Sequence, residues 1–259
     1  MGKPTQKTVE QEISVLEVSQ GRVEFCVLGS TPLILNRMSE KAKRELLLPK
    51  GKKSAADKAA SLKHNPMEEY RASANKAAGA DAPTRLLIPS TAFKGAIRDV
   101  ALDVPGEAKK AQIGRLTYVP GDYVNVYGIP KLFMCIARMQ DMARTPDVRT
   151  RAIVPEWACR LTVTYIRPIL KEQSVANLLA AAGIMRGVGD WRPEKGKGDY
   201  GQFELVGKDD PRFLRIVKAG GRVQQDKALE TPEPYDAETA ELLTWFSEEA
   251  GRRGFKVVA

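Results

Sequence analysis

The sequence predicts an α+β fold, one antiparallel sheet of the split βαβ type with its helices on one face. Three observations predict it: a strand-like segment near the start, two amphipathic helical segments each followed by strand-like ones, and a glycine-rich stretch, "GVGDWRPEKGKG", leading into a closing strand. At 259 residues the chain can bury a full core. It reads as a single domain over 1–259, with a basic helical insertion at 37–85 and a helix-bearing C-terminal extension at 207–259.

"RVEFCVL" (22–28) places Val23, Phe25 and Val27 on one face of an opening strand, and residues 31–35 continue it after the Gly29-Ser30 break. Residues 37–80 are rich in Ala, Lys and Glu, are broken at Pro49 and Pro66, and suggest helical pieces around a basic loop, "LPKGKKSAADK". In "LLIPSTAFKGAIRDVAL", Ser90 or Thr91 is the expected cap and Phe93, Ile97, Val100 and Ala101 recur at helical spacing.

After a Gly/Pro-punctuated stretch at 115–126, "KLFMCIAR" (131–138) and "VRTRAIV" (148–154) read as two strands joined by a loop. In the second, Arg149 and Arg151 share a face because strand side chains alternate. "WACRLTVTYI" (157–166) alternates as a half-buried strand. Residues 172–185 form a helix with Val175, Leu178, Leu179 and Ala182 inward, followed by the glycine-rich stretch and a strand at 202–206. A turn-rich linker over 211–234 leads to a last helix, 236–250, burying Leu242, Leu243 and Phe246. Strand, helix, strand region, strand, helix, strand is the ferredoxin-like order, and it leaves the sheet face away from the helices open for binding.

The charge balance is 41 Lys+Arg against 32 Asp+Glu, a net charge of +9. It is clustered: residues 37–78 hold eleven Lys/Arg against five Asp/Glu. Clustered positive charge points to a polyanion. No apolar run approaches the roughly 20 residues of a membrane span, and "MGKPTQKTVEQEISV" lacks a signal-peptide core, so a cytoplasmic protein is expected. Cys26, Cys135 and Cys159 lie in separate apolar segments without metal-ligand spacing and read as free thiols. No metal or cofactor is expected. His64 is the sole histidine and lies in the polar insertion, and the carboxylates show no paired pattern, so no catalytic residue is assigned.

"IPSTAFKG" and "GVGDWRPEKGKGDYGQFE" resemble the first-helix opening and the Gly-rich loop of the RAMP superfamily of CRISPR-associated proteins. The loop departs from the usual pattern by carrying Asp190-Trp191-Arg192-Pro193. "VRTRAIVPEWACRLTVTY" with the same loop is similar to uncharacterised proteins of tailed bacteriophages and prophages. The resemblance spans residues 22–206. It implies an RRM-like fold that holds single-stranded nucleic acid between the loop and an inserted basic segment, with copies assembling side by side along the strand.

On that basis the expected partner is single-stranded DNA, bound without sequence preference, in the host bacterial cytoplasm during phage replication or recombination. The alternatives are a guide-RNA-binding backbone subunit of a CRISPR-type effector and a RAMP-type endoribonuclease. The loop matches neither GxxxxGK[ST] nor GxGxxG after a strand, which argues against a mononucleotide P-loop. Expected phosphate contacts are Lys94 and Arg98 on the first helix, Arg149, Arg151 and Arg160 as a track across neighbouring strands, and Arg192, Lys195 and Lys197 in the loop. Lys41, Lys43, Arg44, Lys50, Lys52 and Lys53 in the insertion join them, and Trp191 and Tyr200 are the expected stacking platforms.

Overall fold

The computed structural model describes residues 15–38, 43, 46–48, 62–106, 109–138, 142, 145–196 and 198–255. The chain opens with β1 (Ser19–Gly29) and β2 (Leu33–Ile34), then α1 (Pro66–Ala72), β3 (Asn75–Lys76), β4 (Leu86–Pro89) and α2 (Ser90–Val100). There follow α3 (Lys110–Leu116), β5 (Thr117–Tyr118), β6 (Tyr123–Asn125), β7 (Lys131–Arg138), β8 (Pro146–Val154) and β9 (Ala158–Arg167). The chain continues with α4 (Glu172–Met185), β10 (Phe203–Val206), α5 (Pro211–Ala219), α6 (Arg222–Glu230) and α7 (Ala237–Arg252).

The fold mixes helices with antiparallel sheets. Its main sheet has four strands in the order β10-β1-β9-β5, every neighbouring pair antiparallel. Alternation explains its two faces. Val23, Phe25 and Val27 of β1, with Leu161, Val163 and Tyr165 of β9, face a core closed by Phe93 and Ile97 of α2 and Val175, Leu178, Leu179 and Ala182 of α4. Phe203 of β10 meets Phe93 and Trp157 edge to face, at centroid distances of 5.7 and 6.3 Å.

The opposite face is not open throughout. Cys26, Leu28 and Ala158 are covered there by Phe213 and Ile216 of α5. The stretch expected to be a linker thus contains two helices. Asp210 caps α5 by accepting from the N–H groups of Arg212 and Phe213, and Pro211 occupies the first turn, a start signal already present in the sequence.

A three-stranded sheet, β2-β8-β7, and a small one, β3-β4-β6, complete the architecture. The strands at 131–138 and 148–154 therefore pair with each other in the second sheet, and the main sheet takes β5 at its edge instead. The reason is the Gly29-Ser30 break: the chain leaves β1 there and pairs as β2 with β8, Leu33 opposite Val154 and Ile34 opposite Ile153. Leu132, Met134, Ala152 and Val154 turn into the main core, whereas Ile34, Phe133 and Ile153 form a separate cluster on the outer face.

Ser90 does not cap α2 as expected. Its backbone N–H donates to the Asp122 carbonyl at 2.9 Å and its hydroxyl to the Gly121 carbonyl, anchoring the helix start to the preceding turn of β6. Among the described residues no helix is long and apolar enough to cross a membrane.

Gly183 in α4 lies directly on the backbone and ring of Phe203, where a Cβ would collide with the Phe203 carbonyl. Gly183→Ala is therefore predicted to cost about 1–3 kcal/mol, the range for overpacking a filled core. Urea denaturation reads it as a lower midpoint at unchanged slope, and an unchanged midpoint would mean that helix and strand part freely.

Candidate nucleic-acid interface

The first-helix opening and the glycine-rich loop, far apart in sequence, form the two walls of one cleft of about 390 Å³. Thr91, Gly95 and Arg98 recur at helical spacing on the α2 wall, and Gly187, Val188, Gly189, Arg192 and Glu194 supply the other. The Arg98 Nε donates to Asp99 Oδ1 at 2.7 Å, and Lys110 Nζ reaches the same oxygen at 2.9 Å. The Arg98 hydrogen bond, against the opposing effect of burial, holds the Asp99 carboxyl well below the usual carboxylate range. Across the cleft, Arg192 donates to Glu194 Oε2 at 2.7 Å and to the Gly189 carbonyl at 3.0 Å. Lys94 parts from Arg98 and places its ammonium 4.7 Å from the centroid of the Tyr118 ring.

The glycines let chain pass close to chain. Gly187, Gly189 and Gly201 have φ of 63°, 85° and 71°, and a Cβ on them would meet the carbonyls of Gly201, Ile34 and Val188 respectively. The N–H groups of Val188, Asp190 and Gly201 donate to Gly201, Ile34 and Pro32 at 2.9, 2.9 and 2.8 Å. These three amides are used within the fold and are not offered to a phosphate. Gly196, at the end of the short helical turn Pro193–Lys195, has open space around it. Lys195 beside it is exposed.

Trp191 and Tyr200 pack on the outer face of the second sheet. Phe133 holds Trp191 edge to face at 6.1 Å, Tyr200 at 6.4 Å and Tyr235 edge to face at 5.7 Å. Both Trp191 and Tyr200 remain half-buried. Trp191 has φ 50°, a left-handed conformation that a bulky residue adopts only where its surroundings enforce it. Here its N–H donates to Asp190 Oδ1 at 3.1 Å and its carbonyl accepts from the Tyr200 N–H at 3.3 Å.

Arg149 and Arg151 join this face, opposite Cys135 and Phe133 in the β7–β8 register. Burial pushes the Cys135 thiol up to about 11, outweighing the two arginines that favour the thiolate. The register thus puts Arg149 and Arg151 on the sheet face that carries Trp191 and Tyr200, and Arg192, next in sequence to Trp191, lines the cleft with Arg98.

Arg160 does not join them. It lies on the main sheet, 3.7 Å from Glu24 and over the Phe213 ring at 5.3 Å, because β9 pairs with β1 and β5 and not with β8. Lys43 is half-buried. Lys41, Arg44, Lys50, Lys52, Lys53 and Lys197 lie outside the described residues.

Sequence reasoning set aside His64, and the structure makes it a junction. Its Nδ1 lies 2.9 Å from Glu69 Oε1 and its Nε2 3.0 Å from Asp147 Oδ1, while Lys63 Nζ meets the same Asp147 oxygen at 2.6 Å. The available signal was Asn65-Pro66, the cap and first residue of α1, which fixes His64 just outside the helix. Two carboxylates on two ring nitrogens favour the imidazolium. Its pKa is raised, first by the Glu69 hydrogen bond and, after the opposing effect of burial, by the charge of Glu69 and by Asp147. Burial by itself would raise the Asp147 carboxyl, but hydrogen bonds from Lys63 and His64 outweigh it and hold the carboxyl down.

No family model matches the sequence, and no curated protein matches it. Among solved structures the chain is similar to Cmr6 from Pyrococcus furiosus, at 13% identity and a TM-score of 0.36, over 73% of this chain and 99% of that one.

The raised pKa of His64 fixes the sign of its pH dependence. Its contribution to stability is fully present below the unfolded-state value of 6.5 and is lost as pH rises through the folded value. Wild type should thus exceed His64→Gln in unfolding free energy most at about pH 5.5, with the gap closing by about pH 9. A gap that stays constant over that range would contradict the imidazolium bridge.

Proposed function

We propose that the protein binds single-stranded nucleic acid by its phosphate backbone, on a RAMP-type, RRM-like core, without cutting it. The observation that carries this reading is the convergence of "IPSTAFKG" and the glycine-rich loop on one cleft edged by Arg98 and Arg192. The strand order β10-β1-β9-β5, with α2 after the first of these strands in the chain and α4 after the third, supports a ferredoxin-like core.

The ion pairs in the cleft are compatible with an arriving phosphate. Asp99 keeps Lys110 when Arg98 turns to a ligand, and Glu194 keeps Arg186, whose Nη1 is 3.9 Å away, when Arg192 does. Neither carboxylate is stranded, so the cost that normally follows from breaking one side of a partly buried pair is avoided. Half-buried Trp191 and Tyr200 beside the cleft offer stacking surface that is indifferent to base identity. Both nitrogens of His64 are held by carboxylates, which leaves the only histidine without a free position for proton transfer to a substrate.

The finer reading is that copies coat single-stranded DNA side by side in phage replication or recombination. The alternative on the same fold is a guide-RNA subunit of a CRISPR-type effector. Anisotropy titrations with labelled single-stranded DNA, single-stranded RNA and duplex, with and without magnesium, separate them: a DNA preference without cleavage supports the first, an RNA preference the second, and cleaved product a nuclease.

Wild type should lose affinity steeply as salt rises, and Arg98→Ala should flatten the slope of log K against log[salt] by about 0.7, the loss of one phosphate contact on a single strand. Wild-type binding that is absent or insensitive to salt would overturn the proposal.

A further inference from the structure

A second hollow, of about 740 Å³, opens between the N-terminal end of α1 and β8. It is not remote from the cleft: the consecutive residues Asn36 and Arg37 line the cleft and the hollow respectively. Its basic residues are Arg37, Lys63, His64, Arg149 and Arg151, and its acidic ones are Glu68, Glu69 and Asp147.

The acids and bases do not simply cancel. Asp147 is bound by Lys63 and His64, and Glu69 by His64. Arg149 and Arg151 have no carboxylate partner among the described residues. Arg151 gives one guanidinium N–H to the Thr150 carbonyl at 2.9 Å, and its Nε is buried with no hydrogen-bond partner.

Half-buried guanidinium groups facing no carboxylate are costly, because burial removes water and, at Arg151, one carbonyl replaces only part of it. In the cleft, by contrast, Arg98 and Arg192 each carry an internal carboxylate. What fits the hollow is an anion brought from outside, and a phosphate diester matches the donor geometry of guanidinium groups. Arg149 and Arg151 are two residues apart on one strand face, so their Cα atoms are roughly 7 Å apart, comparable with the separation of successive phosphates on an extended single strand.

We propose that this hollow is a second phosphate-binding station, in which Arg149 and Arg151 take successive phosphates of the strand that the cleft holds, with Arg37 at the crossing between the two. The proposal rests on the reading of the protein as a single-strand binder and specifies the path of contact along the surface: cleft, Asn36–Arg37, hollow. Lys63 and His64 serve as positioning residues, neutralising Asp147 and Glu69 so that the hollow stays attractive to an anion.

The test is a length series of labelled oligothymidylates, from about 4 nucleotides upward, titrated against wild type, Arg149→Gln/Arg151→Gln and Arg98→Ala, each verified as folded by its thermal midpoint. Strands long enough to reach the hollow should lose about tenfold or more in affinity with the double variant, and their salt slope should fall by about 1.4, two phosphate contacts. The shortest strands that wild type binds should bind the double variant equally well. The Arg149→Lys/Arg151→Lys variant keeps the charge and should restore most of the slope.

If the double glutamine variant keeps long-strand affinity and slope while Arg98→Ala loses them, the second station is overturned and the cleft stands. If wild type binds no strand of any length, the function proposed above fails instead. Competition by inorganic phosphate alone, at equal strength against short and long strands, would place the anion site in the cleft and likewise overturn the station.

Discussion

The structure depends on one seam, where the chain leaving β1 is stitched to the segment that closes the glycine-rich loop. The Ser30 N–H donates to the Gln202 carbonyl at 3.0 Å, the Gln202 N–H to Thr31 Oγ1 at 3.0 Å, and the Gly201 N–H to the Pro32 carbonyl at 2.8 Å. Buried Trp157 locks the crossing by donating its indole N–H to the Thr31 carbonyl at 2.8 Å while its ring lies over Gly29. One seam thereby fixes the handover from the main sheet to the second sheet and also the height of the loop against α2. A small error in it would be felt in the width of the cleft, because the Asp190 N–H donates to the Ile34 carbonyl on the same run and Gly189 lies close against that carbonyl.

Electrostatics divides the basic residues into two classes with different consequences. Arg98, Arg186, Arg192 and Lys110 share Asp99, Asp103 and Glu194 in a network where each of Asp99 and Glu194 has two cations within reach. Such a network can exchange partners at low cost. Arg149 and Arg151 belong to the other class, held half-buried by β8 with no carboxylate partner among the described residues, and it is geometry and not the net charge of +9 that distinguishes them. Counting lysines and arginines along the chain weights both classes alike.

Local periodicity carried much of the fold. β7 spans the residues read as a strand, 131–138, and α4 spans 172–185 with Val175, Leu178, Leu179 and Ala182 buried as expected. What periodicity lacks is pairing. Nothing local in "VRTRAIV" says that β8 lies between β2 and β7, so Arg160 was grouped with Arg149 and Arg151 across a sheet boundary. The two helices of 211–230 are hidden for a different reason: Pro211 and the Gly220-Gly221 pair read as turn signals, whereas Pro211 opens α5 and the glycines separate it from α6. Arg98 and Arg192 line one cleft, and both are reachable from the sequence because Arg98 follows the first-helix opening by helical spacing and Arg192 lies in the glycine-rich loop. Asp147 is not, since it acquires its place in the hollow from His64, at a separation of 83 residues.

The glycine-rich loop shows why composition alone misdirects mechanism. Its glycines are spent on close passage of chain against chain, and the amides of Val188, Asp190 and Gly201 are satisfied internally. On the proposed reading, a strand would therefore meet side chains and not these amides. A guanidinium contact to phosphate carries no information about the base and none about the sugar 2′-position. On that reading, discrimination between DNA and RNA has to come from contacts to the sugar itself, beside the face where the Trp191 and Tyr200 rings lie 6.1 and 6.4 Å from Phe133. The left-handed backbone of Trp191, at φ 50°, fixes where its ring leaves the loop and so is a requirement of the local packing.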